Sequence, residues 1–212
     1  VGCPSDAPPK AKIEEEMKVL ALDLDTNYCG IAILDHNLRL IKRKLLTLSG
    51  KTEIQKMIEL AFYIYSIKGE IDEVVIEDTF MAKNPKTFKH LSRLAGAVEY
   101  LCYRKFNKEA HFIMARQARG YSELKGNCKK IETQLKIAKE YGLVDDKIFY
   151  KYHGKIGNLY QQYKDKKITK GQFDYRADKK FSEEFTKETG LDNHSADAIV
   201  LARALISKLK EK

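Results

Sequence analysis

Three carboxylates stand where carboxylates are costly. Asp23 interrupts an apolar run (VLALDLD, residues 19–25), Glu77 closes the apolar segment EVVIE (73–77), and Asp197 sits in HSADAIVLA (194–202) just ahead of another apolar stretch. A carboxylate taken out of water destabilises the fold unless it is paired or bound to a metal, and none of the three has a basic partner nearby in sequence. A turn cap or an ion pair with a distant lysine accounts for any one of them singly. Three at element ends in a basic chain argue for a shared divalent cation. Carboxylate oxygens suit Mg²⁺, and two such ions about 3.5–4 Å apart can clamp a phosphodiester, one activating water and the other stabilising the leaving oxygen. His194 lies three residues before Asp197, on the same face of a helical first turn. It could ligate a metal through a neutral imidazole or move a proton; an exposed histidine at a helix start is the plainer reading. Asp25 would share Asp23's face on a strand, but Asp-Thr-Asn is turn chemistry and a turn role is assigned to it. Asp78 points away from Glu77's face. His36, His90, His111 and His153 do not cluster, and no catalytic role is expected of them.

The elements that must position these groups follow from periodicity. Residues 17–25 read as a strand buried on both faces. Short polar turns separate it from strands at 29–34 and 38–48, an antiparallel meander. A helix is expected over 52–68, capped by Thr52, with Ile54, Met57, Ile58, Ala61, Ile64 and Tyr65 as its apolar face. Then come a short buried strand at 73–77 and a helix over 85–105, with Asn84 as cap and Pro85 at its first position. Phe88, Leu91, Ala95, Val98 and Cys102 should line that helix's core face. A fifth strand is expected at 111–114, a helix near 129–141, and a closing helix at 193–209. The order β-β-β-α-β-α-β, a long polar region, then α predicts an α/β fold with a five-stranded mixed sheet, meander plus parallel strands, flanked by helices. Residues 1–16, with three of the four prolines and an acidic run, read as a disordered tail or cloning remnant ahead of a natural start at Met17. The remainder, 17–212, reads as a single domain with 141–190 inserted.

At this point the motifs resemble a known family. VVIEDTFMAKN (74–84), LALDLDTNYCGIAIL (20–34) and HSADAIVLA, in that set of elements, are similar to the RuvC-type Holliday junction resolvases of the ribonuclease-H-like superfamily. The similarity covers roughly residues 17–130 and 191–209. It implies a ribonuclease-H-like fold and a metal site of Asp23, Glu77 and Asp197, with His194 as ligand or proton relay. All four would be catalytic, with two Mg²⁺ ions per site and Mn²⁺ able to substitute. Phe80 matches the aromatic that wedges between bases at the junction centre. Lys83, Lys86, Lys89 and Arg93 on the following helix could meet phosphates, though a solvated charged face also explains them. YSELKGNCKK (121–130) matches more weakly the basic segment after the fifth strand, which adds Lys125, Lys129 and Lys130 as DNA contacts. Two departures stand out. A histidine occupies the place that an acid holds in many members, and residues 141–190 have no counterpart in the short bacterial enzymes.

Composition narrows the setting. The chain has 39 basic and 30 acidic residues, a net of +9, and 43% hydrophobic residues, enough for a core and too many for a disordered chain. No apolar run approaches the roughly 20 residues that span a bilayer, so no membrane partner is expected. Four scattered cysteines without metal-ligand spacing read as free thiols in an intracellular, reducing compartment. Residues 116–180 hold 17 basic and 8 acidic residues, leaving 22 of each elsewhere. Six of the twelve tyrosines fall within 141–175. Lysines interleaved with tyrosines suit a surface that tracks phosphates and stacks on unpaired bases; a mobile, solvated insertion is the alternative.

The expected function is therefore a homodimeric, metal-dependent DNA endonuclease that resolves four-way junctions by paired nicks, leaving 5′-phosphate and 3′-hydroxyl, with no small-molecule cofactor. The alternatives are a nuclease of the same fold acting on flaps, branched DNA or RNA–DNA hybrids, and a junction-binding protein with a dead site. An actin-like sugar kinase, which the first hairpin loosely suggests, would need a longer chain.

Overall fold

The strand at Lys18–Leu24 buries both faces, and the architecture follows from that. A computed structural model describes residues 17–79 and 84–211. The elements are β1 (Lys18–Leu24), β2 (Tyr28–Asp35), β3 (Leu40–Thr47), α1 (Glu53–Ser66), β4 (Glu73–Glu77), α2 (Pro85–Phe106) and β5 (Ala110–Ile113). They are followed by α3 (Ala115–Tyr121), α4 (Lys130–Glu140), α5 (Asp146–Lys164), α6 (Lys170–Tyr175), a π-helical turn (Arg176–Phe181), α7 (Ser182–Thr189) and α8 (Asn193–Lys210). The strands form one mixed sheet in the order β3-β2-β1-β4-β5. β1, β2 and β3 are antiparallel neighbours, and β4 and β5 run parallel to β1. Alternation along β1 splits the core: Leu20, Leu22 and Leu24 pack with α1 and α2 on one face, while Val19 and Ala21 pack with α8 on the other. At the open edge, β3 carries Lys42, Arg43 and Lys44, charges that discourage pairing with another sheet.

Helix ends match their sequence signals. The Thr52 hydroxyl accepts from the Gln55 N–H, and the Gln55 side chain accepts from the Thr52 N–H. Asn84 caps α2 by accepting from the Lys86 and Thr87 N–H groups. The apolar face expected of α1 is corrected. Leu60, Tyr63 and Ile64 are the buried residues, whereas Ile54, Ile58 and Tyr65 are exposed, as is Phe62 at 76%. This helix carries apolar residues on two sides, so spacing alone could not select the inner one. On α2, Ala95, Val98 and Cys102 are buried as expected, with Leu94, while Phe88 and Leu91 are half-buried.

Residues 141–190 are largely helical and share the core of the α8 face. Tyr152, Ile156, Leu159, Phe173, Ala177 and Phe185 join Ile131, Leu135 and the inner residues of α8 in one apolar cluster. A solvated insertion would not bury these side chains.

Candidate active site

Strand register brings the acids together. β1 and β4 pair in parallel with Ala21 opposite Val75 and Leu22 opposite Ile76, so one further step sets Asp23 beside Glu77 on the α8 face. Across the other edge of β1, Asp23 pairs with Gly30 of β2. A Cβ at Gly30 would lie 2.1 Å from the His194 carbonyl oxygen. The missing side chain therefore lets the start of α8 settle directly on the sheet. Asp192 fixes that start, accepting from the Ser195 N–H at 2.8 Å and from the Ser195 hydroxyl at 2.6 Å. His194 and Asp197 then face the strand ends.

Asp23 is 4% exposed, and its carboxyl lies 2.7 Å from His194 Nδ1. The Asp23 and Glu77 carboxyls are close enough to share a proton. Burial raises the pKa of Asp23, with the neighbouring Asp197 and Asp25 charges adding to it. Burial, the hydrogen bond to Asp23 and the Asp23 charge push Glu77 up to about 10. Asp197 is raised too, by burial, against the pull of Arg119. Carboxyls packed this closely cannot all ionise without a cation.

Several groups at this site were not singled out in the sequence. Arg119 Nη2 lies 3.3 Å from Asp197 Oδ1, and its charge also bears on Glu77. The topology carried a signal for it: β5 runs parallel beside β4, so the helix after β5 starts at the same sheet edge as Glu77. Tyr28 stacks on the His194 ring at 5.8 Å between centroids and 23° between planes. Asp25 keeps its turn role, with Oδ1 accepting from the Thr26 N–H, but its Oδ2 also lies 3.6 Å from His194 Nε2.

The four metal-site candidates Asp23, Glu77, His194 and Asp197 thus occupy one end of the sheet. Among the described residues, no three His, Cys, Asp or Glu side chains converge as ready-made ligands, because Asp197 faces Arg119 and Asp23 faces His194. The donor set nonetheless fits a hard divalent cation: clustered carboxylate oxygens beside one imidazole, the carboxyls raised first by burial and then by their acidic neighbours, a cost that such an ion would relieve.

The DNA-contact candidates divide. Lys86 and Lys89 are exposed on α2, and Arg93 and His90 both reach Glu53 of α1 at 3.0 Å. Lys125 is exposed. Lys130 is exposed near the site mouth, where its charge acts on Asp23. Lys129 is corrected: its ammonium is mostly buried between Asp174 (2.6 Å) and Asp178 (3.2 Å) and holds α6 and the π turn rather than facing outward. Phe80 and Lys83 lie outside the described residues.

Sheet order and a carboxylate cluster at the ends of its first and fourth strands define a ribonuclease-H-like nuclease fold. No family model matches the chain. The crossover junction endodeoxyribonuclease RuvC of Aliarcobacter butzleri is 30% identical over 126 residues, covering 56% of this chain and 79% of that protein. RuvC of Campylobacter curvus is 37% identical over 87 residues, and this match spans 55% of the relative's length. The structure of T. thermophilus RuvC in complex with Holliday junction substrate superposes with a TM-score of 0.61 at 12% identity, covering 92% of this chain and 96% of that one. The chain belongs to the RuvC family of crossover junction endodeoxyribonucleases.

Proposed function

We propose that this protein resolves four-way DNA junctions by metal-dependent hydrolysis, nicking two opposed strands to leave 5′-phosphate and 3′-hydroxyl ends. The observation that carries the reading is the cluster of buried Asp23 and half-buried Glu77 and Asp197 with His194, on two strand ends and one helix start. The three carboxylates would hold Mg²⁺, two ions per site, with Mn²⁺ as substitute and His194 as a further ligand or as a proton relay. Bound there, such ions would supply a lowered pKa for the attacking water and would offset charge on the leaving oxygen. The chain's own groups supply the rest. Asp23 fixes the His194 ring through Nδ1, and Tyr28 stacking restrains its tilt. His194 Nε2 then faces Asp25 at the exposed rim, a path by which a proton can leave the buried centre. Arg119 and Lys130 set positive charge beside the cluster, where a scissile phosphate would approach.

A second copy of the chain would give the paired nicks. The exposed row Ile54, Ile58, Phe62 and Tyr65 on α1 is a surface it could cover. The described cysteines Cys29, Cys102 and Cys128 are unpaired thiols, in keeping with a reducing compartment. No helix among the described residues is long and apolar enough to cross a membrane.

The test is a substrate panel with Mg²⁺ at moderate salt: four-way junction, flap, RNA–DNA hybrid and linear duplex. The reading expects paired, symmetric cuts in the junction at a rate well above the others. Faster cutting of flaps or hybrids would transfer the same site to those substrates. Junction binding with no cutting in either metal would make the protein a non-catalytic binder.

A further inference from the structure

The loop at 122–129 and helices α5 and α6 enclose a cleft of about 850 Å³, within the usual range for small-ligand sites of roughly 300–1,000 Å³. One wall is aromatic. Tyr160 and Tyr163 lie against Phe173 with centroids 4.8 and 5.2 Å away, Tyr163 within 29° of parallel. Both tyrosines keep more than a third of their surface exposed.

The charges are sorted in a way that the sequence does not reveal. Each acid lining the cleft is already engaged: Glu123 with Lys136 at 3.2 Å, Glu132 with the Lys129 N–H and the Tyr160 hydroxyl, and Asp174 with Lys129 and Lys170. Lys125 and Lys164 line the same cleft, and neither has a carboxylate partner among the described residues. Glu132 accepts hydrogen bonds but meets no cation, so the four lysines and three acids of the lining sum to +1, and the cations left without a carboxylate partner are two ammonium groups beside a ring surface. That pairing matches one chemistry closely: a nucleobase for the ring and its flanking phosphates for the lysines. A fully paired duplex presents no free base face. The cleft also adjoins the active site. Cys128 in its wall is near enough for the Arg119 and Asp197 charges to act on its thiol, and Lys130 follows Lys129 directly.

We propose that this cleft is a binding site for an unpaired nucleotide of the DNA strand that passes the catalytic carboxylates. It is a subsite built jointly by residues 123–132 and by helices α5 and α6, and it would favour branched or partly melted DNA. The proposal rests on the reading of DNA as substrate.

The probes are a labelled oligothymidylate and a four-way junction carrying one unpaired 2-aminopurine, followed by anisotropy and emission with the full chain. Tyr163→Leu should weaken oligothymidylate binding by roughly 5- to 100-fold, the scale of one lost base stack. Tyr163→Phe, which keeps the ring, should restore it. Lys125→Ala with Lys164→Ala should reduce the slope of log affinity against log salt by about 1.4, two single-strand phosphates. Lys147→Ala, on α5 but not lining the cleft, should leave the slope unchanged. The 2-aminopurine emission should change on binding wild type and not on binding Tyr163→Leu. Circular dichroism confirms that each variant is folded. Wild-type affinity in Tyr163→Leu, failure of Tyr163→Phe to restore binding, or a Lys147→Ala effect equal to the double variant would overturn the proposal. If wild type cuts the junction while the cleft variants bind like wild type, the subsite alone fails. If wild type binds no DNA, the functional reading fails with it.

Discussion

The strand-end site and the helices of residues 141–190 use charge in opposite ways. At the strand ends, like charges are crowded: Asp23, which is buried, and the half-buried Glu77 and Asp197 gather at one end of the sheet, with Arg119 as a neighbouring cation. In those helices, unlike charges are largely paired. Lys151 meets Glu188 at 2.6 Å, Lys155 meets Glu184 at 2.7 Å, and Lys129 and Lys170 share Asp174. The first arrangement is unsatisfied and calls for an outside cation. The second is satisfied and supports folding, leaving a few lysines free. Net charge therefore measures neither region: the acidic site vanishes into a neutral count, and the basic segment overstates what phosphates can reach.

The comparison is broken most severely by removing one of the crowded acids. Asp197→Asn or Glu77→Gln should lower single-turnover junction cleavage by about 10³-fold or more, since a lost ligand forfeits several kcal/mol of transition-state stabilisation. Junction affinity should stay within about threefold, measured by gel shift without metal. Gly30→Ala comes next. Its new methyl meets the His194 backbone, so α8 must move, costing about 2–3 kcal/mol in a denaturant melt and about 10²-fold in rate. A smaller effect should follow pH. Glu77 is raised from 4.5 to about 10 in the folded chain, so the native state holds a proton that the unfolded state releases. Its contribution is fully present below the ordinary carboxylate range and is lost as pH rises toward about 10. In chelator, stability should fall by roughly 2 kcal/mol from pH 6 to pH 8, and Mg²⁺ should flatten the slope. An increase in stability with pH under chelator would contradict the crowded-acid account. The smallest change should come from the paired region. Lys129→Met strands Asp178 and leaves Asp174 with Lys170 alone, and should cost about 1–2 kcal/mol, with an unchanged salt dependence of DNA binding. A reduced salt slope would return Lys129 to the phosphate surface.

Much of the scaffold was legible because its signals are local. EVVIE marks β4 at both ends, Asn84-Pro85 opens α2, and the first helical residue expected of the closing helix, Asn193, begins α8. The clustered acids were legible for a related reason: a carboxylate inside an apolar run conflicts with its surroundings and so attracts notice. Arg119 lies on a seven-residue helix with no apolar period to place it, and its partner is 78 positions away. The fate of Lys129 depends on acids 45 and 49 residues distant. On α1, two apolar sides gave the pattern no means of choosing the inward one. In residues 141–190, tyrosines and lysines dominate the text, and the spacing of Tyr152, Ile156 and Leu159 that folds α5 onto the core is easily lost among them.

One assay reaches the central claim: a four-way junction labelled on each strand in turn, incubated with Mg²⁺ and either wild type or Asp23→Asn, then resolved on denaturing gels. The account predicts symmetric nicks from wild type, and from Asp23→Asn a folded protein that binds the junction and leaves it intact. Cutting by Asp23→Asn at the wild-type rate, or an uncut junction with wild type, would contradict it.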